Sequence, residues 1–372
     1  MLTGNIIAPL GGFLTAAADP PSRACFSADK VQSTNPLRHP DWDALVSSLP
    51  NYSFFHSAAW AKVLVETYGY APKYFVTNGT NGLRSLLPLM EVDSWLTGRR
   101  GVALPFTDDC EPLCPDHNSF KGLFQNAIKF GKERGWKQLE CRGGRKFFGG
   151  VPASLAFYGH SLDLVSGDEQ LLERLEGSVR RAIRKAEKDG VTVEISQSLE
   201  AMEKFYSLQC KTRKKHGLPP QPFSFFSNIH KHILSQNSGM VAVASWQKTP
   251  IAASVYFHWG NRAIYKYGAS DGKFQHLRGS NLVMWKAIKW YVQKGAHKLH
   301  LGRTSMANDG LRRFKMGWGA SEEKIEYFKY DFRKKEFVTD SDEAFGWHNR
   351  IFKSLPGFVS RMTGQMLYRH WA

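Results

Sequence analysis

Apolar side chains recur at intervals of three and four residues along several stretches of the chain. The clearest stretch is residues 118–134, in which the apolar positions are Phe120, Leu123, Phe124, Ala127 and Ile128. This spacing places them on one face of a helix, and Gly135 is a residue type that commonly ends one. The same pattern predicts a helix capped by Ser57 and helices over residues 168–189, 199–216, 223–236 and 281–294.

Short apolar runs lie between these helices and predict β-strands. They cover residues 74–77, 83–92, 102–106, 136–141, 191–195, 240–246, 251–259, 263–269, 297–302 and 324–331. Residues 78–82 (Asn-Gly-Thr-Asn-Gly) form a turn cluster that is typical of a hairpin between the first two strands. Because helices and strands alternate along the chain, the sequence predicts a mixed α/β fold.

The two halves of the chain share an order of elements. Residues 133–140 resemble residues 293–300, since each segment contains a helix end, a glycine and the start of a strand. Each half also predicts a hairpin, a third strand, a helix and a further strand, which favours a duplicated domain. The predicted organisation is a flexible leader (1–40), a first domain (41–165), a second domain (166–335) and a basic amphipathic tail (336–372).

Composition narrows the class of protein. The chain has 372 residues, of which 42% are hydrophobic and 22% charged, a globular composition that excludes a disordered chain. No apolar run is long enough to span a membrane. The five cysteines are odd in number and scattered, so they do not suggest a disulfide framework and fit a reducing compartment. We therefore expect a cytoplasmic protein.

The charge balance points to an anionic partner. The chain carries 50 basic and 33 acidic residues, a formal net charge of +17, which attracts nucleic acid, phosphorylated ligands or an anionic membrane surface. Residues 347–372 mix apolar side chains with four basic ones, and no acidic residue follows Glu343. This tail suits a helix lying on the anionic inner face of a membrane. The alternative is a helix packed on the domain with its basic side in water.

Three segments carry a family resemblance. The first comprises residues 55–60 (Phe-His-Ser-Ala-Ala-Trp), Leu87-Pro88-Leu89 and Leu104-Pro105-Phe106, and the second is residues 179–191. The third runs from residues 265–270 (Tyr-Lys-Tyr-Gly-Ala-Ser) to Gly302-Arg303-Thr304 and residues 314–319 (Phe-Lys-Met-Gly-Trp-Gly). In this order they resemble the FemA/FemB-like branch of the GNAT acyltransferase superfamily, over about residues 50–335.

The resemblance implies two GNAT-like domains in tandem, each a twisted mixed sheet flanked by helices, with a cleft between or beside them. It implies transfer of an acyl or aminoacyl group to an amine, which forms an amide. The acceptor would be a phosphorylated or lipid-linked sugar or peptide intermediate of cell-envelope or exopolysaccharide biosynthesis. The donor would be acyl-CoA or aminoacyl-tRNA, with no tightly bound cofactor. The chain lacks the long helical arm of some tRNA-using members, which weakens the tRNA hypothesis and leaves acyl-CoA open.

A second hypothesis comes from a different class of protein. A non-catalytic binding protein would use the same basic cleft to hold RNA or anionic lipid. Its affinity would depend steeply on salt concentration, and it would show no turnover.

Two segments are candidate anion sites. Arg180 and Arg184 lie four residues apart on the predicted helix 168–189, so they can clamp a diphosphate; the alternative is a solvated basic face. The turn containing Arg278, Gly279 and Ser280 matches, loosely, the loop of GNAT enzymes that binds the CoA pyrophosphate. A plain helix cap by Ser280 or Asn281 accounts for this turn almost as well.

Lys315 is the first candidate catalytic residue. It directly follows Phe314, and the resemblance assigns such a lysine to the negative charge that develops on the carbonyl oxygen during acyl transfer. Gly317 and Gly319 would let the backbone approach the substrate, and Trp318 between them would contact it. The alternative is an ordinary surface lysine ahead of a strand.

Aromatic and acidic residues complete the candidates. Tyr265 and Tyr267 alternate along a predicted strand, so they share one face and can orient an amine or protonate a leaving group; core packing is the alternative. Asp108 follows the first family segment, where the resemblance implies the acceptor site, and its carboxylate can bind the attacking amine; a solvated loop acid is the alternative. Glu140 and His300 occupy corresponding positions in the two halves, and either can serve as a base.

A metal site is not expected. Cys110, Cys114 and His117 lie close together in the sequence, but a fourth ligand and the usual spacing are missing.

Overall fold

The computed structural model describes residues 30–79, 82–164, 167–340 and 356–371. The strands are β1 (Gln32–Thr34), β2 (Ala71–Pro72), β3 (Tyr74–Gly79), β4 (Gly82–Leu87), β5 (Met90–Val92), β6 (Arg100–Val102), β7 (Gln138–Arg142), β8 (Leu155–Asp163), β9 (Thr192–Ser196), β10 (Gly239–Trp246), β11 (Thr249–Trp259), β12 (Arg262–Ser270), β13 (Lys298–Ser305), β14 (Ser321–Asp331) and β15 (Glu336–Val338). The α-helices are α1 (Trp42–Ser47), α2 (Ala58–Tyr68), α3 (His117–Glu133), α4 (Gly167–Arg174), α5 (Gly177–Lys188), α6 (Leu199–Lys215), α7 (Phe223–His232), α8 (Gly279–Gln293), α9 (Asp309–Met316) and α10 (Gly357–Leu367).

One large mixed sheet runs through both halves of the chain. Its strand order is β2-β5-β6-β7-β14-β8-β13-β12-β11-β10-β9, with β15 beside β14, and β1-β3-β4 form a small second sheet. Strand β14 comes late in the chain but pairs with β7, for example Tyr327 with Arg142. The sheet of the first half is therefore completed by a strand from the second.

The two halves repeat the same arrangement. In the first, β5 and β6 are antiparallel and β6 is parallel to β7; in the second, β11 and β12 are antiparallel and β12 is parallel to β13. Helix α3 comes before β7, and helix α8 comes before β13. Each helix is followed by a glycine with positive φ, 67° at Gly135 and 72° at Gly295. Only glycine adopts this conformation without strain. The predicted mixed α/β fold is confirmed.

Packing follows the predicted apolar stripes. Helices α5 and α8 cover one face of the second half with Val179, Ile183, Ala186 and the buried face of α8. Helices α2, α6 and α7 cover the opposite face with an aromatic core that includes Trp60, Phe205 and Phe225. Ser57 accepts a hydrogen bond from the N–H of Trp60 at 3.3 Å, which confirms the predicted helix cap.

Several predicted elements need correction. The helix predicted over 168–189 is two helices, because the N–H of Glu176 donates to the Gly317 carbonyl at 3.0 Å and the chain turns there. The strand predicted over 83–92 is broken around Pro88, which has no N–H to donate, and its two parts join different sheets. Strand β8 and helix α9 were not predicted: β8 contains glycine and histidine, and α9 is short and highly charged.

The predicted terminal segments are described only in part. Of the leader, residues 1–29 lie outside the described residues, whereas β1 pairs with β3. Of the hairpin turn, Thr80 and Asn81 lie outside them. Of the basic tail, residues 341–355 and Ala372 lie outside them, and α10 is described. No helix in the described ranges is long and apolar enough to cross a membrane.

Candidate functional site

Strands β12 and β13 are neighbours at their first residues and then diverge. Their parallel pairing covers only Arg262 to Ile264 on β12. Beyond it, β12 has an extra residue at Lys266, because Tyr265 pairs with Tyr256 and Tyr267 with Val255 on β11. The pairing of β13 with β8 also shifts register between His300 and Arg303. A bulge bends its strand, so two bulges open a cleft between these strands.

The cleft continues into a cavity of about 710 Å³. Its walls are the outer part of β12, the middle of β13, the start of α8 and the inner side of α9. Among the lining residues are Asp108, Lys266, Arg303 and Lys315. Asp271 and Arg278 line it as well, so cations outnumber carboxylates in a cavity large enough for an extended ligand.

Lys315 is held in this cavity by α9. The side chain of Asn308 caps this helix by accepting the N–H of Leu311 at 3.0 Å. Lys315 is only 2% exposed, and its Nζ donates to the carbonyls of Gly302 at 2.8 Å and Arg303 at 3.1 Å. An ammonium has three N–H donors, so one remains for a ligand oxygen. Burial lowers the pKa of Lys315 to about 8, and Asp108 opposes this shift.

Asp108 and Lys266 form a buried ion pair between the two halves. Lys266 Nζ lies 2.9 Å from Asp108 Oδ2, and both side chains are almost fully buried. Burial raises the pKa of Asp108, but Lys266 and Arg303 outweigh it and hold the pKa below its ordinary value. Tyr327 Oη donates to the Asp108 carbonyl at 2.7 Å and accepts from Arg303 at 2.6 Å. One oxygen of the predicted amine-binding carboxylate is thus committed to Lys266.

The predicted anion-binding turn lies at the cavity. Gly279, Ser280 and Arg278 all line it. Arg278 is the N-cap residue of α8, in the left-handed region with φ 56°, and no side chain caps this helix. The predicted alternative, a cap by Ser280 or Asn281, is therefore wrong. The first N–H groups of a fifteen-residue helix form a favourable site for an anion.

Tyr265 and Tyr267 lie on opposite sides of the sheet. Tyr265 packs against Tyr256 with ring centroids 5.5 Å apart, whereas Tyr267 packs against Phe226 at 5.6 Å on the other face. The predicted common face is wrong, because the extra residue at Lys266 interrupts the alternation. Both residues contribute to the cavity lining, and burial raises the pKa of both hydroxyls, which stay neutral.

Trp318 and its flanking glycines support the core. Trp318 is 1% exposed and packs against Phe314, so the predicted substrate contact is corrected to core packing. A Cβ at Gly317 would lie 3.0 Å from Val179, and one at Gly319 would lie 3.2 Å from the Arg174 carbonyl. The glycines give α4 and α5 room to pack, and they do not bring the backbone to the cavity.

The predicted arginine pair lies elsewhere. Arg180 is half-buried and Arg184 is exposed, both on α5, and neither lines the cavity. The structure therefore does not bring these residues together with Lys315.

Neither candidate base is free to accept a proton. His300 Nδ1 accepts the N–H of Gly302 at 3.1 Å, so its proton resides on Nε2, and burial lowers its pKa to about 4. Glu140 lies in the first half and pairs with Arg142 at 2.7 Å.

Sequence reasoning missed Lys266 and Arg303. Each lies within a segment quoted for the family resemblance, and a lysine in the middle of an aromatic strand is itself a signal, since burying it requires a partner. That partner, Asp108, is distant in sequence. As for metals, the described parts of the chain contain no group of three or more His, Cys, Asp or Glu side chains arranged to hold an ion.

Comparison with known proteins places this cavity in a familiar domain. Residues 174–325 match the family model described as "Acetyltransferase (GNAT) domain". This part of the chain is a GNAT acetyltransferase domain. It extends from the end of α4 into β14, and it contains β12, β13, Lys266 and Lys315. The protein is therefore an acyltransferase, as the resemblance implied.

Solved structures extend the likeness to the whole tandem arrangement. The chain is similar to FemX, with 15% identity, a TM-score of 0.63, and coverage of 80% of this chain and 96% of that one. It is similar to a tandem GNAT protein of the clavulanic acid pathway, with 9% identity, a TM-score of 0.52, and coverage of 82% and 98%. The C-terminal domain of a putative lysylphosphatidylglycerol synthetase from Agrobacterium fabrum has 15% identity, a TM-score of 0.52, and coverage of 81% and 93%. No curated protein sequence matches. The predicted tandem GNAT fold is confirmed.

Proposed function

We propose that the protein is an N-acyltransferase that binds an acyl-CoA in the cleft between β12 and β13 and forms an amide on a phosphorylated or lipid-linked envelope intermediate. The observation that carries this proposal is the buried ammonium of Lys315, which faces the cavity with one donor unused. A cation in such a place stabilises negative charge more strongly than it would in water.

The shape of the cleft supports the proposed donor site. GNAT acyltransferases use acyl-CoA as donor, and the uncapped start of α8 is suited to its pyrophosphate. Past Ile264, β12 runs beside the cleft with no further pairing to β13. The amide groups of an extended donor arm can pair with this open edge as an added strand would.

The chemistry can then be assigned to atoms. The nitrogen of the acceptor amine attacks the donor carbonyl carbon, a C–N bond forms, and an electron pair moves onto the oxygen. Lys315 stabilises this oxyanion by its remaining N–H. When the carbonyl reforms, the C–S bond breaks and the CoA thiolate leaves, while the proton lost by the amine passes to water or to the thiolate. Lys266 and Arg303 add positive potential; burial lowers the pKa of Lys266, and the neighbouring Asp108 opposes that shift.

The acceptor is proposed as an anionic envelope intermediate. Around its reacting end the cavity has the three cations Lys266, Arg303 and Lys315 against the carboxylate of Asp108, while Arg278 and Asp271 add one charge of each sign. The structural relative described as a putative lysylphosphatidylglycerol synthetase bears the name of a phosphatidylglycerol lipid, which supports a lipid-linked acceptor. An aminoacyl-tRNA remains the rival donor, since the cavity cations suit either phosphate-bearing molecule.

The test is a donor screen with two readouts. Acetyl-CoA, a long-chain acyl-CoA and an aminoacyl-tRNA are each added, and the melting temperature of the protein is measured, because a bound donor stabilises the folded state. Release of free CoA thiol is then followed with amino-sugar phosphates and lysine-containing peptides as acceptors. Stabilisation and thiol release by an acyl-CoA are expected.

Other outcomes would replace the proposal. Stabilisation by aminoacyl-tRNA alone would change the donor. Absence of turnover with every donor, together with salt-dependent binding of RNA or anionic lipid, would favour the non-catalytic hypothesis.

A further inference from the structure

Helix α10 packs on the protein through its small residues. Ser360 is 3% exposed, and a Cβ at Gly364 would overlap the Pro220 carbonyl oxygen. The chain after the helix is anchored by Tyr368, whose hydroxyl donates to the Pro219 carbonyl at 3.1 Å. The buried positions of α10 are therefore the small residues Ser360 and Gly364, which allow a close approach.

Three large apolar side chains of α10 face water. Phe358, Met362 and Met366 are 59%, 61% and 68% exposed. They are four residues apart, so they form one line along the helix. A surface helix normally turns such a line toward the core. The orientation observed here is the reverse, and it costs free energy unless another molecule covers the line.

A loop of the first half adds exposed apolar side chains beside the segment that follows α10. Trp95 is 84% exposed and Leu96 is 49% exposed in the β5–β6 loop, and the ring of Trp95 contacts His370 with centroids 5.3 Å apart. The His370 carbonyl accepts from Arg100 at 2.7 Å and from Thr97 at 3.3 Å, so the loop and the chain end are fixed together. We call the resulting surface the α10 patch; it comprises Trp95, Leu96, Phe358, Met362, Met366 and Trp371.

The patch concentrates the exposed apolar side chains of the molecule. In the described ranges nine large hydrophobic side chains are strongly exposed, and these six are among them. Scattered exposed hydrophobic residues need no explanation, but a cluster marks an interaction site.

The charged residues of this segment indicate which kind of surface the patch binds. Arg361 and Arg369 lie within the same segment and are exposed, and residues 356–371 contain no acidic residue. Asp93, beside the loop, is paired with Arg99 at 2.6 Å. Tryptophan, apolar side chains and arginine together fit the boundary between anionic lipid headgroups and acyl chains. We propose that the α10 patch docks the protein on an anionic lipid bilayer. This inference does not depend on the proposed acyl transfer.

The test is co-sedimentation with lipid vesicles. Wild-type protein is expected to sediment with vesicles that contain phosphatidylglycerol, and to bind phosphatidylcholine vesicles or high-salt samples at least about tenfold more weakly. Trp95→Ser with Phe358→Ser should lower binding by about tenfold or more, since two interfacial aromatic groups are lost. These side chains are exposed, so the variant should keep its melting temperature.

Matched variants separate the apolar and the charge contributions. Met362→Gln should weaken binding, whereas Met306→Gln, at a 40% exposed methionine between β13 and α9, should not. Arg361→Gln with Arg369→Gln should remove the preference for phosphatidylglycerol. CoA release with a soluble amine acceptor should be unchanged in every patch variant, which separates this proposal from the catalytic one.

Two results would overturn the proposal. One is wild-type vesicle binding by the Trp95→Ser, Phe358→Ser variant. The other is a dimer in light scattering that dissociates when Phe358 is changed to serine, since the patch would then be covered by a second copy of the chain.

Discussion

The two halves have the same strand order, but they differ in what lies beyond the short parallel pairing of β6 with β7 and of β12 with β13. In the first half the chain after β6 stays on β7: the N–H of Ala103 donates to the Glu140 carbonyl at 2.8 Å, and that of Cys110 donates to the Arg142 carbonyl at 3.0 Å. In the second half β12 continues as a strand to Ser270 after its last pair with β13. One gap is filled by its own chain, and the other stays open as the cavity.

This difference shows how one fold yields either a support or a site. To stay on β7 the first-half loop adopts left-handed conformations at Leu104 (φ 48°) and Phe106 (φ 63°), which non-glycine residues rarely adopt. The same loop delivers Asp108 to the cavity of the second half. We infer that the first half has become a scaffold that positions a counter-ion, while the second half keeps the open cleft.

The largest expected effect comes from breaking the buried ion pairs of the two halves. Asp108→Asn and Glu140→Gln each leave a buried cation without its carboxylate, and each should lower the free energy of unfolding by about 3–5 kcal/mol. Only Asp108→Asn should also lower kcat at a temperature where both variants are folded. Urea unfolding and single-turnover acyl transfer measure the two effects. Equal losses of kcat would mean that the halves do not differ in function.

The second prediction concerns Lys315. Lys315→Met should lower kcat by about 100- to 1000-fold with little change in KM, because the interaction is made mainly in the transition state. Lys315→Arg should rescue poorly, since a planar guanidinium places its charge differently. Lys204→Met, at a half-buried lysine of α6 that lies outside the cavity lining, is the matched control. A Met variant within about threefold of wild type would remove Lys315 from the mechanism, since that loss is under about 1 kcal/mol of barrier.

The third prediction uses the pKa of Lys315, about 8. If the ammonium is required, kcat should fall as the pH rises through this value.

The free energy of unfolding should change in the opposite direction and rise with pH. In the unfolded chain Lys315 has its ordinary lysine pKa, so it holds the proton more tightly than in the folded protein. This difference lowers the free energy of unfolding by up to about 3 kcal/mol. The loss is fully present below pH 8, and it disappears as the pH rises toward the pKa that Lys315 has in the unfolded chain. Lys315→Met should therefore melt no lower than wild type near pH 7 and should show no such gain at higher pH. A kcat that stays flat through pH 8 would contradict the role of the ammonium.

The fourth prediction compares two glycines with similar backbone conformations. Gly302 and Gly295 have φ of 73° and 72°, so alanine at either should lower the free energy of unfolding by about 1 kcal/mol. A Cβ at Gly302 would lie 3.3 Å from the Tyr265 carbonyl and 3.5 Å from Asp108, whereas one at Gly295 would meet nothing within 4 Å. Only Gly302→Ala should lower kcat. If both variants lose activity equally, the effect belongs to general stability.

The smallest expected effect concerns the predicted arginine clamp. Because Arg180 and Arg184 do not line the cavity, Arg180→Ala and Arg184→Ala should change the donor KM by less than about twofold, through weak long-range electrostatics alone. A rise of about tenfold in the acceptor KM, the usual effect of losing a charge-assisted hydrogen bond, would instead restore the clamp and place the acceptor along α5.

The sequence alone determined the features that depend on neighbours along the chain. Apolar periodicity determined most helices and strands, the glycine after each of α3 and α8 indicated the repeated order of elements, and the family resemblance of the Phe314-Lys315 pair singled out the lysine that faces the cavity. Each of these signals is contained in a short segment, because helix faces, turns and caps are formed by residues close in sequence.

Only the tertiary structure decided which side chains come together in the cavity. The partner of Lys266 is Asp108, more than a hundred residues away, and it is supplied by a loop that fills the gap of the other half. The bulge at Lys266 separated Tyr265 from Tyr267, and Trp318 became buried in a core cluster that includes Val179 and Ile183 of α5. Bulges, ion pairs and burial arise from contacts between distant segments, and the pKa of Lys315 depends on how fully those segments exclude water. No local pattern records these quantities.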